Sequence, residues 1–342
     1  MPLQTESTSA NLSFKTVQRA HERIKHAVKQ TPIVQSQLLN DWLGHSIYFK
    51  AECLQTTGAF KLRGAFNFVA KLAEQGALPQ RIVANSSGNH AQAVAYVARH
   101  FNIPVCIYSS STISAVKAAA TRAYGAKLLT FDTRVEADQA VYEASLEQGT
   151  VWIPPFNHPD IIAGQGTVAL EALKQVPQTD AIFAPCGGGG LVSGSYLYAK
   201  HVNKRIKVMG AEPLSANDAA ESIRTGKIVS LPKAPITLAD GAATPSVGEH
   251  TFPYLQQLDD FYEVNEQDIC YWTQWLQHLL KLHIEPTCAM TMQAVVEWLA
   301  KQNSQQHVLV MLSGGNISAQ SMQKIWQHDH LNKRPQPFTQ HY

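Results

Sequence analysis

Three short runs of small and polar residues carry the chemistry legible in this sequence. They are Ser86-Ser87-Gly88-Asn89-His90, Gly187-Gly188-Gly189-Gly190 and Ser313-Gly314-Gly315-Asn316. Each follows an apolar, strand-like stretch, and each is read as a turn that opens a helix. A helix N-terminus presents free N–H groups and the positive end of the helix dipole, so it attracts anions. Four consecutive glycines exceed what a tight turn requires, and they allow successive backbone amides to wrap a phosphate. The Ser86–His90 run offers two hydroxyls, an amide and an imidazole where one N-cap residue would suffice. That surplus suits a carboxylate. For Ser313–Asn316 an ordinary loop explains the composition equally well.

Which phosphate the glycines would hold stays open at this point. Glu212 follows the tetraglycine at about the distance of a ribose-binding acid, which favours a dinucleotide and a nucleotide-dependent oxidoreductase. Against this, Gly187–Gly190 with Leu191-Val192-Ser193 does not fit the G-x-G-x-x-G spacing, and no Gly-Lys-Ser/Thr follows for a P-loop. Lys61 stands between Phe60 and Leu62. Burial there would lower its pKa and make it a usable amine, whereas a lone lysine is most often a solvated surface residue.

These residues need a scaffold that brings distant turns together. Strands are expected at Ile82–Asn85, Val105–Ser109, Lys127–Phe131, Val151–Ile153, Ala181–Pro185, Ile206–Ala211 and Val308–Leu312. Helical patterns separate them, at Ala91–His100, Ser114–Tyr124, Arg134–Gln148, Ile162–Gln175 and Val192–His201. Such alternation implies βαβ units and parallel sheets covered by helices, with ligands outside the carboxyl ends of the strands. Asn265 is expected to cap a further long helix, with Asp268 at its third position. Residues 227–248, with three prolines, read as a long surface connection, and the tail from Lys333 as loosely held.

Composition restricts the partners. The 342 residues suit one large or two medium domains, and 45% hydrophobic with 16% charged residues is ordinary for a globular protein. A net charge of +2 gives no strong field toward nucleic acid or membrane. Five cysteines form no CxxC pair, which disfavours a disulfide framework and favours a reducing compartment. Met1–Ser13 lacks an apolar signal core, and no apolar run is long enough to span a bilayer. A cytoplasmic address and a small-molecule partner are expected.

The motifs, taken in order, resemble the threonine dehydratase/serine racemase group of fold-type II pyridoxal 5'-phosphate (PLP) enzymes. The match runs through Thr57–Ala65, Ser86–His90, Ala163–Thr167, Pro185–Gly190, Ala211–Pro213, Ala239–Gly241, Ile284–Thr287 and Ser313–Asn316, spanning roughly residues 15–325. The resemblance implies a tryptophan synthase β-like α/β fold with two domains, each a mainly parallel twisted sheet flanked by helices. Residues 1–72 and 153–342 would form the large PLP-binding domain, and 73–152 the small domain with the carboxylate turn.

It also implies roles. Lys61 would hold PLP as a Schiff base and act as the catalytic base, and Gly187, Gly188, Gly189, Gly190 and Leu191 would bind its phosphate. Asn89 would meet the ring hydroxyl, and Ser313 the ring nitrogen. Ser86, Asn89 and His90 would take the substrate carboxylate. A neutral serine at the ring nitrogen makes the ring a weaker electron sink, which favours prompt β-elimination over transamination. The expected activity is dehydration of L-threonine or L-serine to a 2-oxo acid and ammonia. Ser87, as in racemase-like members, is a second candidate acid–base residue and keeps serine racemase as the alternative.

Glu212, Ala216 and Asp218 match the spacing with which racemase-like members bind a divalent cation, and all-oxygen ligation suits Mg²⁺, Mn²⁺ or Ca²⁺. Asp138 stands where hydroxyaspartate- and racemase-type members carry an arginine, with Arg134 one helical turn away; this disfavours hydroxyaspartate as substrate. A homodimer is implied. Since the chain ends soon after Ser313–Asn316, feedback through a C-terminal regulatory region is not expected.

Overall fold

The computed structural model describes residues 12–337; most of the Met1–Ser13 stretch and the last five residues lie outside it. Ten strands form two sheets. They are β1 (Ile33–Val34), β2 (Ser46–Ala51), β3 (Arg81–Asn85), β4 (Val105–Ser110), β5 (Lys127–Phe131), β6 (Thr150–Trp152), β7 (Ala181–Pro185), β8 (Lys207–Pro213), β9 (Asp260–Val264) and β10 (His307–Leu312). The larger sheet has the order β1-β2-β10-β7-β8-β9, and the smaller β5-β4-β3-β6. All pairings are parallel except β1 with β2. The fold is thus α/β, with parallel sheets flanked by helices.

β7 is buried along its whole length at the centre of the larger sheet. An uninterrupted apolar strand is what a parallel sheet covered on both faces requires. Chain order explains why the smaller sheet is a unit: β3 to β6 follow one another without interruption, each joined to the next by one helix.

Helix Pro159–Gln175 ties the site-bearing helices together. It packs backbone to backbone on helix Gly190–Val202, where a Cβ on Gly194 would lie 2.5 Å from the Ile162 carbonyl oxygen. It also packs on helix Lys61–Glu74, where a Cβ on Gly164 would lie 2.7 Å from the Arg63 carbonyl oxygen. Glycine alone permits such close approach, so the helices that begin at Lys61 and Gly190 are held in fixed relation.

Beneath Lys61 lies a fully buried ion cluster. The Arg63 guanidinium donates to Glu52 and Glu171, and Lys50 donates to Glu171 at 2.8 Å. Two cations meet two anions, so no net charge is buried, and every charged group is hydrogen-bonded. Removing one partner would leave a buried charge uncompensated, at about 3–5 kcal/mol.

Asn265 caps helix Glu266–Leu280 as expected: its Oδ1 accepts from the Asp268 amide at 3.0 Å, and its Nδ2 donates to the Asp268 carboxylate. Residues 227–248 are a largely irregular connection, with one short 3₁₀ turn at Asp240–Ala242. The tail differs from expectation at its start. Trp275 donates its indole N–H to the Lys333 carbonyl at 3.0 Å, and Pro335 is buried, so packing against helix Glu266–Leu280 holds the chain there.

Candidate active site

The carboxyl ends of β3, β7 and β10 open on one cavity between the two sheets. It is lined by Lys61, by Ser86–His90, by Gly187–Leu191 and by Ser313, so it gathers residues from four distant parts of the chain.

Lys61 is the first residue of its helix. The preceding chain is pinned by a bridge between Ala59 and Gly314, and the Phe60 amide donates to the Ser313 carbonyl at 3.0 Å. The Ser313–Asn316 turn therefore positions the lysine. It does not open a helix directly; the next helix starts at Ala319 under a Ser318 cap. That corrects the expectation for the third junction, where bridging to Ala59 takes the place of helix formation. Lys61 Nζ donates to the Pro155 carbonyl at 2.8 Å. Burial lowers its pKa to about 8, opposed by the nearby Glu285 carboxylate.

The tetraglycine runs from the end of β7 into helix Gly190–Val202. Gly189 has φ +89°, a conformation that favours glycine. Gly188 passes so close to the Phe156 ring that any side chain would collide with it. The N–H groups of Gly187–Gly190 donate to no backbone acceptor among the described residues. Thr251 stabilises the loop from outside, its hydroxyl donating to the Gly188 carbonyl at 2.8 Å. The result is a cradle of unused amides at a helix N-terminus, which fits a phosphate.

Helix Asn89–His100 begins at the second turn. The Ser86 hydroxyl accepts from the Gly88 amide at 3.1 Å, and the Ser87 side chain is exposed on the cavity. His90 is buried, and its Nε2–H donates to the Ile153 carbonyl at 2.9 Å. Burial and then the charge of Lys61 lower its pKa to about 3. The ring is neutral and Nδ1 is an unpaired acceptor. His90 therefore offers a carboxylate its backbone N–H and not the imidazole, which refines the reading of the turn.

Asn89 is tied on both sides. Its Nδ2 donates to both oxygens of Glu285 at 3.0 Å, and its Oδ1 accepts from Asn316 Nδ2 at 2.9 Å. Glu285 is buried, and its pKa is raised to about 7, first by burial and then by Asp240. Ser313 Oγ is buried with no hydrogen-bond partner, as is the Gln165 amide, and both line the cavity. Two orphaned polar groups facing one cavity, beside a phosphate cradle and a low-pKa lysine, fit a bound heteroaromatic phosphate.

Comparison with known proteins agrees with this geometry. The family described as "Pyridoxal-phosphate dependent enzyme" matches residues 24–314. The chain belongs to that family. The family is PLP-dependent, and the Gly187–Leu191 cradle and Lys61 line one cavity. An L-threo-3-hydroxyaspartate ammonia-lyase of Saccharomyces cerevisiae is 41% identical over 89% of this chain and 93% of its own. A serine racemase of Mus musculus is 36% identical over 96% and 97%. Among solved structures, a maize serine racemase superposes with a TM-score of 0.85 at 34% identity, covering 94% of this chain and 98% of its own. A T.th. threonine deaminase gives 0.84 at 36%, covering 90% and 99%. Fold-type II PLP enzymes that are lyases or racemases therefore surround this chain, and it is an enzyme of that group.

Glu212, near the end of β8, and Ala216 and Asp218, just beyond it, lie apart from the cavity. Both carboxylates are fully buried. Glu212 accepts the Ala219 and Ala220 amides, whereas neither oxygen of Asp218 has a partner. Burial raises Glu212 to about 9 and Asp218 to about 7. Two buried acids with a carbonyl between them in sequence suit a hard divalent cation. No cluster of three or more His, Cys, Asp or Glu with metal-holding geometry occurs among the described residues. Side chains would thus supply two ligands, with main-chain oxygen and water the rest. No helix among the described residues is long and apolar enough to cross a membrane.

Sequence reasoning assigns no role to Glu285, although Ile284–Thr287 is among the matching motifs, and it passes over Gln165 and Lys117. A buried acid held by an asparagine 196 residues away leaves no local signal.

Proposed function

We propose that this enzyme removes water from L-serine or L-threonine, yielding a 2-oxo acid and ammonia. The observation that carries this reading is Lys61: a lysine of lowered pKa at a cavity that also holds a phosphate cradle, an anion-binding turn and a neutral serine. Bound PLP supplies an aldehyde that condenses with amines and a ring that delocalises negative charge from Cα.

The protein's residues do the rest. Amides of Gly187–Leu191 would hold the phosphate, and Ser313 and Asn89 would meet the ring. Ser86, Asn89 and the His90 amide receive the substrate carboxylate. Lys61 Nζ would take the Cα proton as general base, a role worth roughly 10²–10⁴ in rate. A neutral donor at the ring nitrogen favours loss of the β-hydroxyl.

Two observations refine the substrate and the outcome. Asp138 lines the cavity, where Asn85 donates to it at 2.6 Å and Arg134 stands 3.7 Å away. Its carboxylate disfavours a second acid group on the substrate, so serine or threonine is preferred to 3-hydroxyaspartate. Ser87 presents an exposed hydroxyl to the cavity, which supports racemisation as the second reading. The test is a panel of L-serine, L-threonine and L-threo-3-hydroxyaspartate, scored for both 2-oxo acid and inverted enantiomer. Oxo-acid formation fastest with serine or threonine is expected. Turnover confined to hydroxyaspartate, or inversion without oxo acid, would defeat the dehydratase reading.

We further infer that Glu212, Asp218 and the Ala216 carbonyl hold a divalent cation (Mg²⁺, Mn²⁺ or Ca²⁺), and that the enzyme acts in the cytoplasm as a homodimer. The bipartite division, 1–72 with 153–342 and 73–152, is proposed on the two sheets.

A further inference from the structure

The carboxylate turn has neutral donors only, because the His90 ring is uncharged and Ser86 and Asn89 carry no charge. A cation stands beside it. Lys117 comes from helix Ala115–Ala123, and its side chain is 5% exposed. An ideal Cβ on Gly88, in the middle of the turn, would lie 3.9 Å from Lys117 Nζ, and both residues line the cavity.

The pairing of Lys117 is lopsided. Its one partner among the described residues is Asp240 of the large sheet's long connection, at 2.5 Å. Asp240 has a side chain 54% exposed, so the cation is buried while its counter-ion sits in solvent. A structural ion pair gains little from that arrangement, since the acid is screened and the lysine bears the desolvation. An ammonium also has three donors, and only one is used here. The other two have no acceptor in a cavity that also holds the unpaired Nδ1 of His90. Lys61 and Arg134 are the other cations lining it; Lys61 donates to the Pro155 carbonyl and Arg134 to the Ala243 carbonyl.

We propose that Lys117 is a specificity-determining residue that supplies the positive charge for the substrate's α-carboxylate, in competition with Asp240. The proposal rests on the reading of Ser86–His90 as the carboxylate turn. On binding, the substrate carboxylate takes the unused donors of Lys117 while the turn's amides hold its other oxygen. Asp240 then shares the ammonium. Since Asp240 belongs to the larger sheet's side and Lys117 to the smaller, occupancy by a carboxylate also bears on how tightly the cavity is bridged.

The test compares L-alanine with L-alaninamide, which differ at the carboxylate, as ligands of the PLP-loaded protein in calorimetric titration. Lys117→Met should weaken alanine on the order of tenfold while alaninamide changes less than about twofold. Asp240→Asn removes the competitor at an exposed position and should tighten alanine about threefold relative to alaninamide. This variant keeps the question open to measurement should Lys117→Met fail to fold. An unchanged alanine-to-alaninamide ratio in Asp240→Asn, and in Lys117→Met where folded, on a protein that binds alanine overturns the assignment of Lys117 alone. A PLP-loaded wild-type protein that binds neither ligand overturns it together with the functional reading.

Discussion

At Lys61 the reactive form is the neutral amine, and burial brings its pKa down to about 8 from an ordinary 10.5. At pH 7 roughly one lysine in ten is then neutral, against about one in three thousand without the shift. The sign is fixed by chemistry: capture of the cofactor aldehyde needs the unprotonated amine, so the rate rises with pH below 8. Apoprotein mixed with PLP should gain its visible absorbance about tenfold faster per pH unit up to pH 8, then level off. A rate still climbing steeply to pH 10 would show an unperturbed lysine. Other residues of the cavity are less legible in sequence. Asn89 stands in a quotable motif, but its partner Glu285 does not announce itself. Lys117 meets Asp240 across 123 residues, and reads in sequence as a solvated position on an alanine-rich helix.

The strands legible in sequence include β5 and β7, whose bounds match expectation. β7 is buried throughout, and β10 exceeds its expected bounds only by the half-buried His307, with Val308–Leu312 in the core. β2 does not read as a strand, since Ser46–Ala51 places Lys50 in its run. Lys50 is fully buried, and it is tolerated because Glu171 and the Thr31 carbonyl accept from its ammonium. A buried charge with a distant partner hides a strand from any hydropathy argument. β9 is hidden for a similar reason: it is an edge strand that starts with an acid and carries another. The end of β8 and the turn that follows carry their own prediction. If Glu212 and Asp218 hold a cation, Mg²⁺, Mn²⁺ or Ca²⁺ at about 100 times its dissociation constant should add about 2.7 kcal/mol of stability. The melting temperature of chelator-treated protein should rise by several degrees on adding the ion, and Asp218→Asn should lose the effect. Wild-type protein indifferent to all three ions at millimolar concentration would rule the site out.

For the whole molecule, alternation of strands and helices is enough to give parallel sheets, because each crossover returns the chain to the same edge direction. It cannot give the strand order, in which β10, last in sequence, lies between β2 and β7. That insertion matters for function. It places Ser313 beside Phe60-Lys61 and on the cavity that the tetraglycine also lines, so the cavity exists only once segments about 250 residues apart have met. Lys61 as the residue that carries PLP is the claim on which the others depend. The most direct measurement reconstitutes wild-type protein and Lys61→Ala with PLP, records the visible band, and assays L-serine. The wild type should be yellow and release pyruvate, and the variant should lose both while keeping its melting temperature within a few degrees. A Lys61→Ala protein that stays yellow and active would contradict that assignment.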